Sequence, residues 1–207
     1  NRVESLAGAT AYTLPDGFLA NASLIAGQPF GVFLSTDFLK GESGTYILDN
    51  NGFPQAGTGV EVIGDPNPDW RGGLGSTVSF KNLSLYVLVE RVHGNDFWNG
   101  TRGSLYAFGT HGDVGNTAVA PAGGLKDVNG NTIPEGTAFQ GQIKDFGAGP
   151  VALNQAWYQG RGSASNTASY RQFVEDGGAT RLREVTLAYN LKNVSLLKNK
   201  QGLDIDF

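Results

Sequence analysis

The chain has no cysteine, no methionine, only two histidines and few charges. Without cysteine there is no disulfide framework, no thiolate nucleophile and no cysteine-ligated zinc or iron–sulfur centre. Charged residues are 16% of the whole, well under the roughly 25% of an ordinary soluble domain, so the surface is weakly charged. The net charge of -4 comes without any basic run able to track a phosphate backbone, which sets nucleic acid aside as a partner. No stretch approaches 18 consecutive apolar residues, so a helical membrane span is not expected. The first residues lack a basic segment leading into an apolar one, so no signal peptide is read there. An opening Asn1 and the missing methionines suggest an excised or mature segment of something longer.

What is abundant is glycine, 31 of 207 residues, about twice the usual share, and with it come many turns. Helical periodicity is scarce. Period-two alternation bounded by Gly, Asn, Asp and Pro recurs instead, and predicts an all-β chain. Val78 and Phe80 lead into Lys81 and Asn82, after which Leu83, Leu85, Val87 and Val89 alternate with Ser84, Tyr86, Leu88 and Glu90. Two alternating runs joined by two residues make a tight hairpin. A second strand is expected from Thr180 to Leu191, with Val185, Leu187, Tyr189 and Leu191 on one face and Glu184, Thr186, Ala188 and Asn190 on the other. A third alternation, Leu203 to Phe207, stops inside its own strand.

Both long runs reach the roughly 9 to 11 residues that a tilted strand needs to cross a bilayer. The regions Leu6 to Asp69 and His93 to Ala179 read as long and irregular, which is rare in compact domains but normal for a barrel with short turns on one side and long loops on the other. The expected fold is therefore an antiparallel transmembrane β-barrel segment with long extracellular loops. The Lys81–Asn82 turn and the connection from Asn193 to Gln201 would be periplasmic, and Phe80 and Tyr189 would belong to interfacial aromatic girdles. The competing architecture is a secreted, soluble β-sandwich that binds glycans; it calls for seven or more short strands, and only three or four are convincing from sequence.

Five segments, in order, resemble the C-terminal part of SusC/RagA-family TonB-linked outer-membrane proteins. They are A-G-Q-P-F-G-V-F-L-S-T-D-F at Ala26–Phe38, I-G-D-P-N-P-D-W at Ile63–Trp70, the hairpin G-S-T-V-S-F-K-N-L-S-L from Gly75, G-N-D-F-W-N-G-T-R from Gly94, and F-V-E-D-G-G-A-T-R-L-R-E-V-T-L-A-Y-N-L at Phe173–Leu191. The resemblance covers most of Ala26 to Phe207, with His111 to Asn154 poorly matched. It implies residues 1–207 to be the C-terminal part of a transporter barrel of roughly 22 strands, without its plug and earlier strands. It further implies an outer-membrane location and import of oligosaccharides or peptides. The implied partners are a SusD-like surface lipoprotein over the mouth and TonB acting through the missing plug. Outer-membrane lipid would then meet Leu83, Leu85, Val87, Val185 and Leu187.

Chemistry-bearing clusters are thin. His93 and His111 read as loop residues, no G-x-S-x-G elbow occurs, and neither a catalytic residue nor a cofactor is expected. Asp49-Asn50-Asn51-Gly52 and Asp127 to Asn131 open like calcium loops but lack a glutamate at the twelfth position, so they read as Asn-Gly turns and no metal is assigned. Glu175 and Asp176, being adjacent, would point to opposite strand faces and could not flank one glycosidic bond; a turn role is expected. Asp204 and Asp206 share a face, which in a barrel would be the lumen. The aromatics Trp98, Trp157 and Tyr158 are the candidate substrate contacts in outer loops, because flat rings pack on sugars or peptides; the plainer alternative is that they anchor the loops.

Overall fold

A computed structural model describes residues 1–14, 21–164 and 169–191. The expected strand from Leu203, the connection from Asn193 to Gln201, and Asp204 with Asp206 lie outside the described residues. Strands in antiparallel sheets dominate and helices are few and short. The chain divides into two compact units, one formed by Asn1–Asp69 with Gly94–Gly177, the other by Trp70–His93 with the segment from Gly178 onward.

The larger unit holds β1 (Ala11–Thr13), β2 (Asn21–Ile25), β3 (Val32–Phe38) and β4 (Ala56–Gly64), paired in that order into one sheet. The smaller unit contributes β5 (Trp70–Phe80) and β6 (Leu83–His93). Back in the larger unit come β7 (Asp96–Trp98), helix α1 (Gly100–Ala107) and the four-residue α2 (Gly112–Gly115). Short ribbons follow from β8 (Thr117–Val119), β9 (Leu125–Lys126), β10 (Thr132–Ile133), β11 (Ala138–Gln140), β12 (Gln142–Asp145) and β13 (Pro150–Leu153). They pair as β8 with β11, β9 with β10 and β12 with β13. Helix α3 (Gln155–Gln159), a 3₁₀ turn at Tyr170–Phe173 and β14 (Val174–Asp176), which pairs with β7, complete the unit. The last described strand, β15 (Ala179–Tyr189), returns to the smaller unit.

The regions expected to be irregular are thus built of twelve short strands and three short helices among the described residues, and the expectation of unstructured loops is corrected. These elements escaped notice because most span two to five residues, too few for any period to register. Side-chain caps start the helices: Asn99 Oδ1 accepts from the Arg102 amide at 3.0 Å, His111 Nδ1 from the Asp113 amide at 3.1 Å, and Asn154 Oδ1 from the Trp157 amide at 3.4 Å. Gly109, at φ +68°, follows the last turn of α1, where a left-handed residue can end a helix.

What holds this unit is an aromatic core. Trp157 stacks on Phe38 (6.1 Å, 26°) and touches Phe53 (5.3 Å) and Phe146 (5.7 Å). Tyr106 meets Tyr158 (4.8 Å) and Phe173 (5.8 Å). Phe53 and Phe173 are fully buried, and each such ring removes enough apolar surface from water to contribute about 1.5–3 kcal/mol. The Trp157 ring lies so close to Gly162 that a Cβ there would sit 2.5 Å from Nε1, so only glycine lets the chain pass over the indole.

The smaller unit is one three-stranded antiparallel sheet ordered β15–β6–β5, each strand eleven residues long. The expected hairpin is present: Phe80 pairs with Leu83 across Lys81 and Asn82, and Lys81 has φ +56° while Asn82 does not cross to positive φ, the sign pattern of a II′ turn. Among the described residues neither β5 nor β15 has a further partner, and the strands form no closed barrel.

Candidate functional site

Register decides which side chains share a face of the three-stranded sheet. Rows run Phe80–Leu83–Tyr189, Val78–Leu85–Leu187, Ser76–Val87–Val185 and Leu74–Val89–Leu182, then Gly72–Arg91–Thr180 and Trp70–His93. Eleven of the first twelve residues are apolar, and they are not covered: Leu74 is 77% exposed, Phe80 70%, Leu187 67% and Val185 55%. Leu83 and Leu85 are exposed to a lesser degree, and Val87 is half-buried in the central strand. A bulge at Arg183 between the Leu182 and Glu184 pairs puts Leu182 on the same face as Val185, although strict alternation would assign it to the other.

The opposite face is polar and small. β5 presents Arg71, Gly73, Gly75, Thr77 and Ser79; β6 presents Ser84, Tyr86, Leu88, Glu90 and the buried Val92; β15 presents Ala179, Arg181, Glu184, Thr186 and Ala188. Its members bond to one another: Ser79 and Ser84 hydroxyls at 2.8 Å, Thr186 Oγ1 donating to Glu184 Oε1 at 2.7 Å, and Arg183 Nε on Glu90 Oε2 at 3.4 Å. The phenol of Tyr86 leans into the space left by Gly75, where a Cβ would stand 2.8 Å from its oxygen.

Aromatic rings mark both ends of the apolar face. Phe80 and Tyr189 stand at the turn, with Lys81 Nζ over the Phe80 ring at 5.3 Å. At the other end Trp70 stacks flat on His93, 5.7 Å between centroids and 7° between planes. Ten residue steps lead from Trp70 to Phe80, which at ~3.4 Å per step and a ~40° tilt is a height of ~26 Å, close to the ~25 Å apolar band of an outer-membrane barrel. The sequence reading missed Trp70, Leu74, Leu182 and Arg91 as members of this face. Trp70 could have been found by counting back in steps of two from Phe80; Leu182 could not, because the bulge breaks the count.

In the larger unit the segments that carried the family resemblance are bonded to one another. Asn67 Nδ2 donates to Phe30 O (2.8 Å), the Asp65 amide donates to Asp96 Oδ2 (2.9 Å), and β7 pairs with β14. Glu175 Oε1 accepts from Asn99 Nδ2 (3.1 Å) and Arg102 Nη1 (3.3 Å). Glu175 and Asp176 are therefore residues of a paired strand, which corrects the expected turn role. A Cβ on Gly64 would press to 2.8 Å from Val174, so this meeting point requires a glycine.

Trp157 and Tyr158 are 4% and 3% exposed, which corrects their expected place as open contacts: they anchor the core, and only their edges line a cleft of about 290 Å³ with Phe38, Tyr46 and Phe146. Trp98 is half-buried in β7 against Gly100, its Nε1 enclosed and unbonded among the described residues. In the same cleft Tyr106 donates a short hydrogen bond to Asp113 and accepts from Arg102 Nε (3.2 Å) and Nη2 (3.1 Å). Burial pushes the Tyr106 phenol up, and donation to Asp113 adds to it, against the opposing pull of Arg102. The Tyr158 phenol is raised strongly, chiefly by burial and then by the Asp113 charge.

The two Asn-Gly turns spend their carboxylates internally. Asp49 Oδ1 accepts from the amides of Asn51 (2.9 Å) and Phe53 (3.0 Å), and Oδ2 from Arg161 (2.7 Å). Asp127 Oδ1 accepts from the amides of Asn129 and Asn131, both at 2.9 Å, and Oδ2 from the Asn131 (3.0 Å) and Asn154 (3.3 Å) side chains. In both, burial works against ionisation, but the donors outweigh it and hold the carboxyl below the usual range. Among the described residues no cluster of three or more His, Asp or Glu gathers as metal ligands. No helix among them is long and apolar enough to cross a membrane, a statement that does not bear on strands. No family model matches the chain, and no curated protein matches it.

Proposed function

We propose that this chain is a wall segment of an outer-membrane β-barrel, from a TonB-dependent nutrient importer of the SusC/RagA kind. One observation carries the reading: three paired eleven-residue strands expose an apolar face bounded by aromatic rings at both ends, while their other face carries most of the sheet's hydroxyl and charged side chains. In water that face opposes folding. Against hydrocarbon it is the stable arrangement, with polar groups turned to a wet lumen. The outer edges of β5 and β15, without a partner among the described residues, fit the same reading, since long bare edges are hazards that closure into a barrel removes. A soluble sandwich would need a second sheet over this face; the twelve short strands of the larger unit supply the number but form one four-stranded sheet and two-stranded ribbons.

Import of oligosaccharides or peptides, a SusD-like lipoprotein at the mouth and energy from TonB through a plug follow from the sequence resemblance and belong to the proposal. The test is partition of the full-length protein that contains this chain. It should fractionate with the outer membrane, and bromine-labelled acyl chains should quench its emission by an amount that falls on Trp70→Phe. A monodisperse species in detergent-free buffer, with Trp70 unaffected by the label, overturns the proposal.

A further inference from the structure

The apolar face of the sheet carries no aspartate or glutamate in any of its six rows. Its one permanent charge is Arg91, in the row between the apolar band and the Trp70–His93 stack. The acids of the sheet all lie on the other side, where Glu90 pairs with Arg183 at 3.4 Å and stands opposite Arg181. Arg91 is exposed, and its Nη1 donates to Thr180 Oγ1 on the neighbouring strand at 2.8 Å. One of five guanidinium donors is thus used to hold the group in place, and the fork keeps its remaining donors for a planar or tetrahedral anion. Trp70, half-exposed and stacked flat, sits next to it with an apolar slab and one indole N–H. An arginine with no acidic partner among the described residues, beside an aromatic at the edge of an apolar face, is complementary to a ligand whose acyl chains lie on the leucines and whose head is anionic.

We infer that Arg91, with Trp70 beside it, is a binding site for the phosphate headgroup of a membrane lipid. The inference rests on the membrane reading above. The other end of the face does not repeat the arrangement, because Lys81 lies in the turn with its ammonium over its own neighbour's ring. The site is therefore specific to the end at which the chain enters β5 and leaves β6.

The intact parent protein is reconstituted into phosphatidylcholine vesicles doped with phosphatidic acid or with diacylglycerol, and lipid retained after mild detergent extraction is counted by mass spectrometry. The wild type should retain phosphatidic acid in preference to diacylglycerol. Arg91→Gln should lower that preference about fivefold, the effect of one cation at an anionic surface. Arg91→Lys should keep most of it, and Arg71→Gln, on the opposite face, should leave it unchanged. Protein that never enters the vesicles overturns the membrane reading and the site together. Protein that enters but shows no preference, or an Arg91→Gln variant that retains lipid like the wild type, overturns the site alone. Equal loss in Arg71→Gln, or displacement of the lipid by inorganic phosphate, also overturns it, by reducing the effect to general charge or to a free-anion site.

Discussion

The two units handle the same kinds of side chain in opposite ways. In the larger one Phe53, Phe173, Trp157 and Tyr158 are all at or below 4% exposure, and polar turns close over them. In the smaller one Leu74, Val78, Phe80 and Leu187 are all at or above 65%, and nothing in their own sheet turns to cover them. The first unit makes its dry interior from its own residues. The second leaves its apolar side uncovered among the described residues, so its stability depends on what surrounds the sheet, and the area-based reasoning that stabilises the first unit in water does not carry over to it.

The strongest way to break that contrast is to empty the core of the larger unit. Trp157→Ala should cost about 3–5 kcal/mol through lost contacts with Phe38, Phe53 and Phe146, read as a lowered denaturant midpoint for that unit. If the loss is well under that, the aromatic cluster is not what holds the unit.

Next in size is a solvent-dependent effect in the sheet. Val185→Arg or Leu187→Arg should cost about 2–4 kcal/mol near the midplane when the parent protein folds into lipid, with Thr186→Arg better tolerated, measured by urea titration in vesicles. The same exposed positions in an ordinary aqueous surface would respond by less than about 0.5 kcal/mol. Equal folding of all three variants in lipid removes the assignment of faces.

A smaller effect sharpens the picture of the turns. Asp127→Asn should cost about 1–3 kcal/mol near neutral pH, because two side-chain donors would then face an amide nitrogen. The native carboxyl titrates below its ordinary value, so its contribution is complete above about pH 4 and is lost as pH falls through the lowered value. The gap between wild type and variant in thermal melts should close on acidification; a gap that widens in acid contradicts the bonding described for Asp127.

How much of this was readable beforehand depends on element length. The hairpin across Lys81 and Asn82 follows from period-two patterning along the eleven residues of β6, and the end of β15 from the alternation that runs unbroken from Glu184 to Tyr189. Strands such as Leu125–Lys126 or Thr132–Ile133 carry no period at all; they exist because the Asp127 carboxylate ties the turn between them. Trp157 and Tyr158 were visible as important residues, but whether a ring faces a ligand or a core depends on partners over a hundred residues away, such as Phe38 and Phe53. Glu175 looked like part of an acidic turn because its bonding partner Asn99 lies 76 positions upstream.

The extra residue at Arg183 has a consequence for how this strand tolerates insertions and deletions. Any single residue added to or removed from the stretch Glu184 to Tyr189 would swap inside for outside over everything between the change and the strand end. Removal of Arg183 would not: Leu182 would precede Glu184 directly, every side chain would keep its orientation, and only the link to Glu90 would go. The irregular point is a place within the strand where a change of length leaves the apolar and polar faces of the sheet intact.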